Sequence, residues 1–178
     1  MSQTVEIMIA GFGGQGVLFA GKILAYAALM AGKEVSWLPS YGPEMRGGTA
    51  NISVIISDTP IGSPIVDNPG VFVAMNQPSL EKFEEEVQPG GLIILDSSLI
   101  QLKVKRHDLQ ACYIPATKLA EDNNLKGLAN MIILGRIAGE TGLFDLDTLY
   151  LAASKSIPER KKDLLAFNKK AIEIGYNY

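Results

Sequence analysis

Apolar residues fall into short runs separated by glycine, proline and charge. VEIMIA (residues 5–10) has the length and Ile/Val content of a buried strand; glycines follow, and then an Ala/Leu-rich stretch over 17–31 has the pattern of a helix. EVSWLP (34–39) reads as a second strand, ANISVIIS (50–57) as a third with partial alternation, and VFVAM (71–75) and LIILD (92–96) as two more. Between the last two, PSLEKFEEEV starts as a helix behind Pro78. A short strand, CYIP (112–115), precedes a mostly helical C-terminal part with helices over 117–122, 128–139, 146–156 and 159–174. Alternating strands and helices predict an α/β fold, a three-layer sandwich with a mostly parallel sheet and helices on both faces. No linker divides residues 1–178, which are expected to form a single domain.

The third strand is the exception to parallel order. The connection from Pro39 to Thr49 holds no helical pattern, and a parallel crossover needs a dozen or more residues, usually helical. Strand three is therefore expected to run antiparallel to strand two. Both ends of the intervening PSYGPEMRGGT would then lie at the sheet edge that carries the glycine cluster, where α/β sheets bind ligands.

Composition narrows the function classes. A 47% hydrophobic content is ample for one core in 178 residues, and a formal net charge of -3 gives no broad basic field, so neither nucleic acid nor a membrane surface is an expected partner. Only one cysteine is present, Cys112, which excludes an internal disulfide or a cysteine-only zinc or iron–sulfur site built from this chain. The N-terminus does not read as a secretory signal and no apolar run reaches a membrane-spanning length, so a cytoplasmic location is expected.

The candidate chemistry sits in two glycine-rich segments. GFGGQG places Gly11, Gly13 and Gly16 in G-x-G-x-x-G spacing between a strand and a helix, with Gly14 and Gln15 inside it. That context favours a tight turn and an anion at the helix N-terminus. The acid that would hold a ribose should close the second strand, but Trp37, Leu38, Pro39 and Ser40 stand there. This weighs against a nicotinamide dinucleotide and leaves a packing turn or another anion. GVLFAGKI has P-loop spacing, but Ile23 replaces the metal-binding hydroxyl and Lys22 reads as a helix-surface charge.

In PSYGPEMRGG, turn formers alone would account for Gly42, Pro43, Gly47 and Gly48. They do not account for Tyr41, Glu44 and Arg46, residue types that anchor interfaces or grip carboxylates and phosphates, although Glu44 and Arg46 could also pair with each other. Asn76-Gln77 and Asp96-Ser97-Ser98 follow strands and would line the same edge, or simply cap helices. His107 reads as a solvated loop residue, Cys112 as a core thiol, and PERKKDLL with Lys169-Lys170 as the wet face of the last helix. No Ser/His/Asp set, HExxH motif or paired carboxylate site emerges, which leaves a nucleotide-fold domain without catalytic machinery of its own.

GFGGQGVLFAGKILAYAA, SWLPSYGPEMRGGTANISVIIS and IGSPIVDNPGVFVAMNQPSLEKF together resemble the γ subunit, or γ domain, of 2-oxoacid:ferredoxin oxidoreductases. SYGPEMRGGTAN with IGSP is most similar to the 2-oxoglutarate branch, and the pyruvate and branched-chain versions share much of it. The resemblance implies a Rossmann-like domain in a heteromeric complex that decarboxylates a 2-oxoacid, forms acyl-coenzyme A and reduces ferredoxin. It places thiamine diphosphate with Mg, and [4Fe-4S] clusters, in α, β and δ partner subunits, with coenzyme A as a substrate of the complex. Gly11, Gly13, Gly14, Gln15 and Gly16 carry over to the turn. Tyr41, Gly42, Pro43, Glu44, Arg46, Gly47 and Gly48 carry over to the loop, as cofactor-proximal or interface residues with no bond-making role. The isolated chain would be able to dimerise through surface meant for its partners. The competing expectations are a free-standing nicotinamide- or flavin-binding oxidoreductase and a pure scaffold.

Overall fold

The computed structural model describes residues 3–40 and 49–178. Its sheet has six strands in the order β2-β3-β1-β4-β5-β6: β1 Thr4–Phe12, β2 Glu34–Ser40, β3 Thr49–Ser57, β4 Val71–Ala74, β5 Leu92–Asp96 and β6 Gln110–Ile114. The pairs β1–β4, β4–β5 and β5–β6 are parallel. β3 is the one reversed strand, and it lies between β2 and β1, antiparallel to both.

Side-chain alternation along the central strands makes the layers. Ile7, Ile9, Val71, Val73 and Ile94 face a large core under helices α1 (Val17–Met30), α4 (Ala129–Thr141), α5 (Leu146–Ser156) and α6 (Leu165–Tyr176). Their neighbours Met8, Ala10, Phe72, Ala74, Ile93 and Leu95 face a smaller core under α2 (Gln77–Phe83). A strand buried on both faces carries a nearly continuous apolar run, as these do. α3 (Ala116–Asp122) follows β6 and borders the larger core.

Two predicted helices are shorter than the pattern suggested. α2 ends at Phe83 and continues as a 3-10 turn over Glu84–Glu86. There buried Glu84 accepts hydrogen bonds from the backbone N–H groups of Lys105 and Arg106, and Arg106 Nη1 donates to the Val87 carbonyl. The last predicted helix likewise opens as a 3-10 segment, Glu159–Leu164, before α6. Among the described residues, no helix is long and apolar enough to cross a membrane.

Candidate functional site

β1 and β4 are adjacent and parallel, and their following helices, α1 and α2, pack on opposite faces of the sheet. Their C-terminal ends therefore form the topological switch point, the usual ligand crevice of an open α/β sheet. The glycine turn sits there. Gly14 and Gly16 hold φ of 93° and 76°, and Gly16 is the left-handed N-cap of α1, a conformation that disfavours side-chain-bearing residues. A Cβ on Gly11 would meet Gln15 Oε1 at 2.6 Å and Met75 Cβ at 3.0 Å.

Gln15 does more than stand at the mouth of the helix. Its Oε1 accepts from the Phe12 backbone N–H at 2.6 Å, and its Nε2 donates to the Met75 carbonyl at 2.8 Å. The side chain thus laces the end of β1 to the residue after β4, across the crevice where a dinucleotide pyrophosphate would enter. Replacing Gln15 by leucine should cost about 1–2 kcal/mol, since two backbone groups lose their partner. Urea unfolding and faster exchange of the Phe12 amide would show it; wild-type values for both would refute the lacing role.

α1 has no side-chain cap and no acidic residue in its first turn, leaving its positive end open to an anion. Asn130, at the start of α4, donates from Nδ2 to the Gly16 carbonyl at 3.2 Å and is 5% exposed. It was not legible in the sequence, because its contact spans more than a hundred residues and follows no motif. Two clefts flank the turn, one of about 310 Å³ against Phe12, Leu18, Phe19 and Ala50, the other of about 300 Å³ against Met75, Thr117, Glu121 and Lys126. A larger one, about 530 Å³, opens on the opposite sheet edge beside Glu6, Gln88 and Glu140, away from the turn.

The other edge residues are structural caps. Asn76, 2% exposed, accepts from the Ser79 N–H and starts α2. Asp96 is fully buried and accepts from Ser98 N–H, Thr117 N–H and Thr117 Oγ1. Cys112 is half-buried at the rim of the core, not inside it, with Arg136 Nε donating to its Sγ at 3.2 Å; burial pushes its thiol up. Lys22 lies over the Tyr26 ring and His107 is exposed.

Tyr41, Gly42, Pro43, Glu44, Arg46, Gly47 and Gly48 lie outside the described residues. Their flanks are fixed: Ser40 pairs with Asn51, and Thr49 pairs with Phe12 in the glycine turn. Both ends of the loop therefore stand on the sheet edge expected for them.

Among the described residues, no group of three or more His, Cys, Asp or Glu side chains could hold a metal. A single cysteine cannot ligate a [4Fe-4S] cluster. Insertion of β3 between β1 and β2 also carries the end of β2 away from the glycine turn, a second physical reason, beside the missing acid, against a dinucleotide. The arrangement is an α/β domain with a self-laced glycine turn and an open helix end.

The chain belongs to the pyruvate ferredoxin/flavodoxin oxidoreductase family, whose model matches residues 6–178. It is 40% identical over 98% of its length to a ketoisovalerate oxidoreductase subunit VorA of Methanothermobacter marburgensis, of which it covers 36%. It thus spans about a third of that relative. With the 2-oxoglutarate synthase subunit KorC of Methanocaldococcus jannaschii it shares 37% identity over 92% of this chain and 90% of the relative. The fold superposes with TM-score 0.83, at 30% identity and over 97% and 96% of the two chains, on the γ subunit of a keto/oxoacid ferredoxin oxidoreductase from Geobacter sulfurreducens. It is a γ-type chain of this family.

Proposed function

We propose that this single-domain chain is the γ subunit of a cytoplasmic 2-oxoglutarate:ferredoxin oxidoreductase, which decarboxylates its substrate, transfers the acyl group to coenzyme A and reduces ferredoxin. The observation that carries the reading is the match over 92% of this chain and 90% of a 2-oxoglutarate synthase subunit KorC. SYGPEMRGGTAN and IGSP support the same branch. Thiamine diphosphate, Mg and [4Fe-4S] clusters belong to α, β and δ partners, consistent with the single cysteine here. This chain contributes no bond-making group; Glu44 and Arg46 make polar contacts to a partner near the active site, and the glycine turn lets the backbone approach.

A branched-chain 2-oxoacid is the second reading, favoured by the slightly higher identity to the ketoisovalerate relative. The complex reconstituted with its partners should show its highest kcat/KM for acyl-coenzyme A formation with 2-oxoglutarate in a panel of 2-oxoacids. Preference for 2-oxoisovalerate would select the second reading. Micromolar NADH or FAD binding by the chain alone would overturn both, and full turnover without this chain would make it a scaffold. In the same assay, Arg46→Ala should lower turnover or assembly at least tenfold, about 1.4 kcal/mol. Wild-type values for both would remove the loop from the interface.

A further inference from the structure

The two edges of the sheet are treated differently. At β6, Lys103 lies over the Tyr113 ring at 4.3 Å, Val104 N–H donates to the Tyr113 hydroxyl, and Arg136 covers Cys112. At β2, no described strand pairs with the outer side, and Trp37 and Leu38 are 43% and 42% exposed. As neighbours in a strand these two point to opposite faces, so the edge is apolar above and below. After Glu34 the strand carries no charge through Ser40. Edges left to face water are normally blunted by charge, most often lysine, or by proline; here Glu34 and Pro39 stand on either side of the exposed Trp37 and Leu38 without interrupting them.

The register fixes which backbone groups are free. Asp58 N–H donates to the Gln3 carbonyl at the end of the β1–β3 ladder, and alternate residues of an antiparallel strand turn to opposite neighbours. Val54 and Ile56 therefore bond toward β1, and Ser53 and Ile55 toward β2. Their partners Leu38 and Ser36 bond inward, which leaves Val35, Trp37 and Pro39 directed outward. Pro39 stands where its missing N–H costs no ladder bond. Two N–H groups and three carbonyls are thus presented as one open row.

We infer that the outer edge of β2 receives an extended, uncharged and apolar segment of the catalytic partner chain, which adds a seventh strand between Trp37 and Leu38. The inference rests on the reading of this chain as a γ subunit. The occupant follows from the relatives: nearly all of this chain aligns with only 36% of the ketoisovalerate relative, whose remaining polypeptide is joined covalently to the same fold. Under the γ-subunit reading that remaining polypeptide corresponds to a partner chain, which must meet this domain across one of its surfaces. Strand addition supplies main-chain hydrogen bonds, and flanking side chains of the partner meet the exposed Trp37 and Leu38 side chains. Trp is also the residue type most enriched at the energetic centre of interfaces.

Hydrogen exchange on the intact complex and on the chain alone tests this. The Val35 and Trp37 amides should exchange at least tenfold more slowly in the complex, while Trp37→Lys and Leu38→Lys each lower recovery of co-expressed complex at least tenfold. The isolated variants should unfold at the wild-type midpoint. A complex that forms with unchanged β2 exchange overturns the inference and leaves the γ-subunit reading standing. If the chain alone dimerises and already protects Val35 and Trp37, a second copy occupies the edge and the inference falls. If no complex forms with the native chain, the γ-subunit reading falls first.

Discussion

Replacing Gly175 with alanine is expected to destabilise the chain by about 3 kcal/mol or more, the upper part of the range for inserting atoms into a packed core. The cause is the α4–α6 crossing. A Cβ on Gly175 would overlap the Ile132 carbonyl and approach Arg136 N to 3.0 Å. A Cβ on Gly135 would overlap the Ile172 carbonyl, and one on Gly139 would meet the Tyr176 carbonyl at 2.6 Å. All three glycines are in contact with backbone, which cannot rotate aside as a side chain can. Relief requires the helices to separate, and separation would uncover Ile132, Ile172 and Ala171, all fully buried. Gly135→Ala should behave similarly, and the double variant should cost less than the sum because one separation relieves both clashes. Urea denaturation gives the number. A loss below 1 kcal/mol for Gly175→Ala would mean that the helices adjust without losing contact.

That crossing was invisible to periodicity because it depends on which helices meet. The apolar pattern marked α4 and α6 as helices, and Gly135-x-x-x-Gly139 places two small residues on one face, yet nothing local names α6 as the partner. The sheet shows a similar division. The reversed strand was legible because the segment between Pro39 and Thr49 is too short and too poor in helix formers for a crossover. Its insertion between β1 and β2 was not legible, because ANISVIIS shows only partial alternation and strand order is set by long-range pairing that no local pattern states.

At the candidate site, spacing alone located the glycine turn, since backbone conformation sets where glycine is required. The role of Gln15 was not legible, because its second partner, the Met75 carbonyl, is sixty residues away. Its effect is chemical as well as structural. A side chain that bridges the switch point occupies part of the crevice where a dinucleotide pyrophosphate would enter, so the same G-x-G-x-x-G spacing here serves a self-laced turn.

Asp96 to alanine is expected to cost about 2–4 kcal/mol, because three donors in a buried setting lose their acceptor at once. The carboxylate has no measurable exposure. Its Oδ1 takes the Ser98 N–H at 3.0 Å, and its Oδ2 takes the Thr117 N–H at 3.1 Å and Thr117 Oγ1 at 2.6 Å. Those bonds tie the end of β5 to the first turn of α3, whose N-cap, Pro115, supplies no side-chain bond. Asparagine is nearly isosteric but must turn its amide N–H toward either Ser98 or Thr117, so donor faces donor and Asp96→Asn should lose roughly half as much. Urea unfolding measures the totals, and amide exchange locates them: Ser98 and Thr117 should lose protection before β5 does. The second cleft beside the glycine turn includes Thr117, so loosening α3 also deforms one wall of the candidate site. Full stability with unchanged exchange in Asp96→Ala would show that water replaces the carboxylate, and the wall would then be independent of β5.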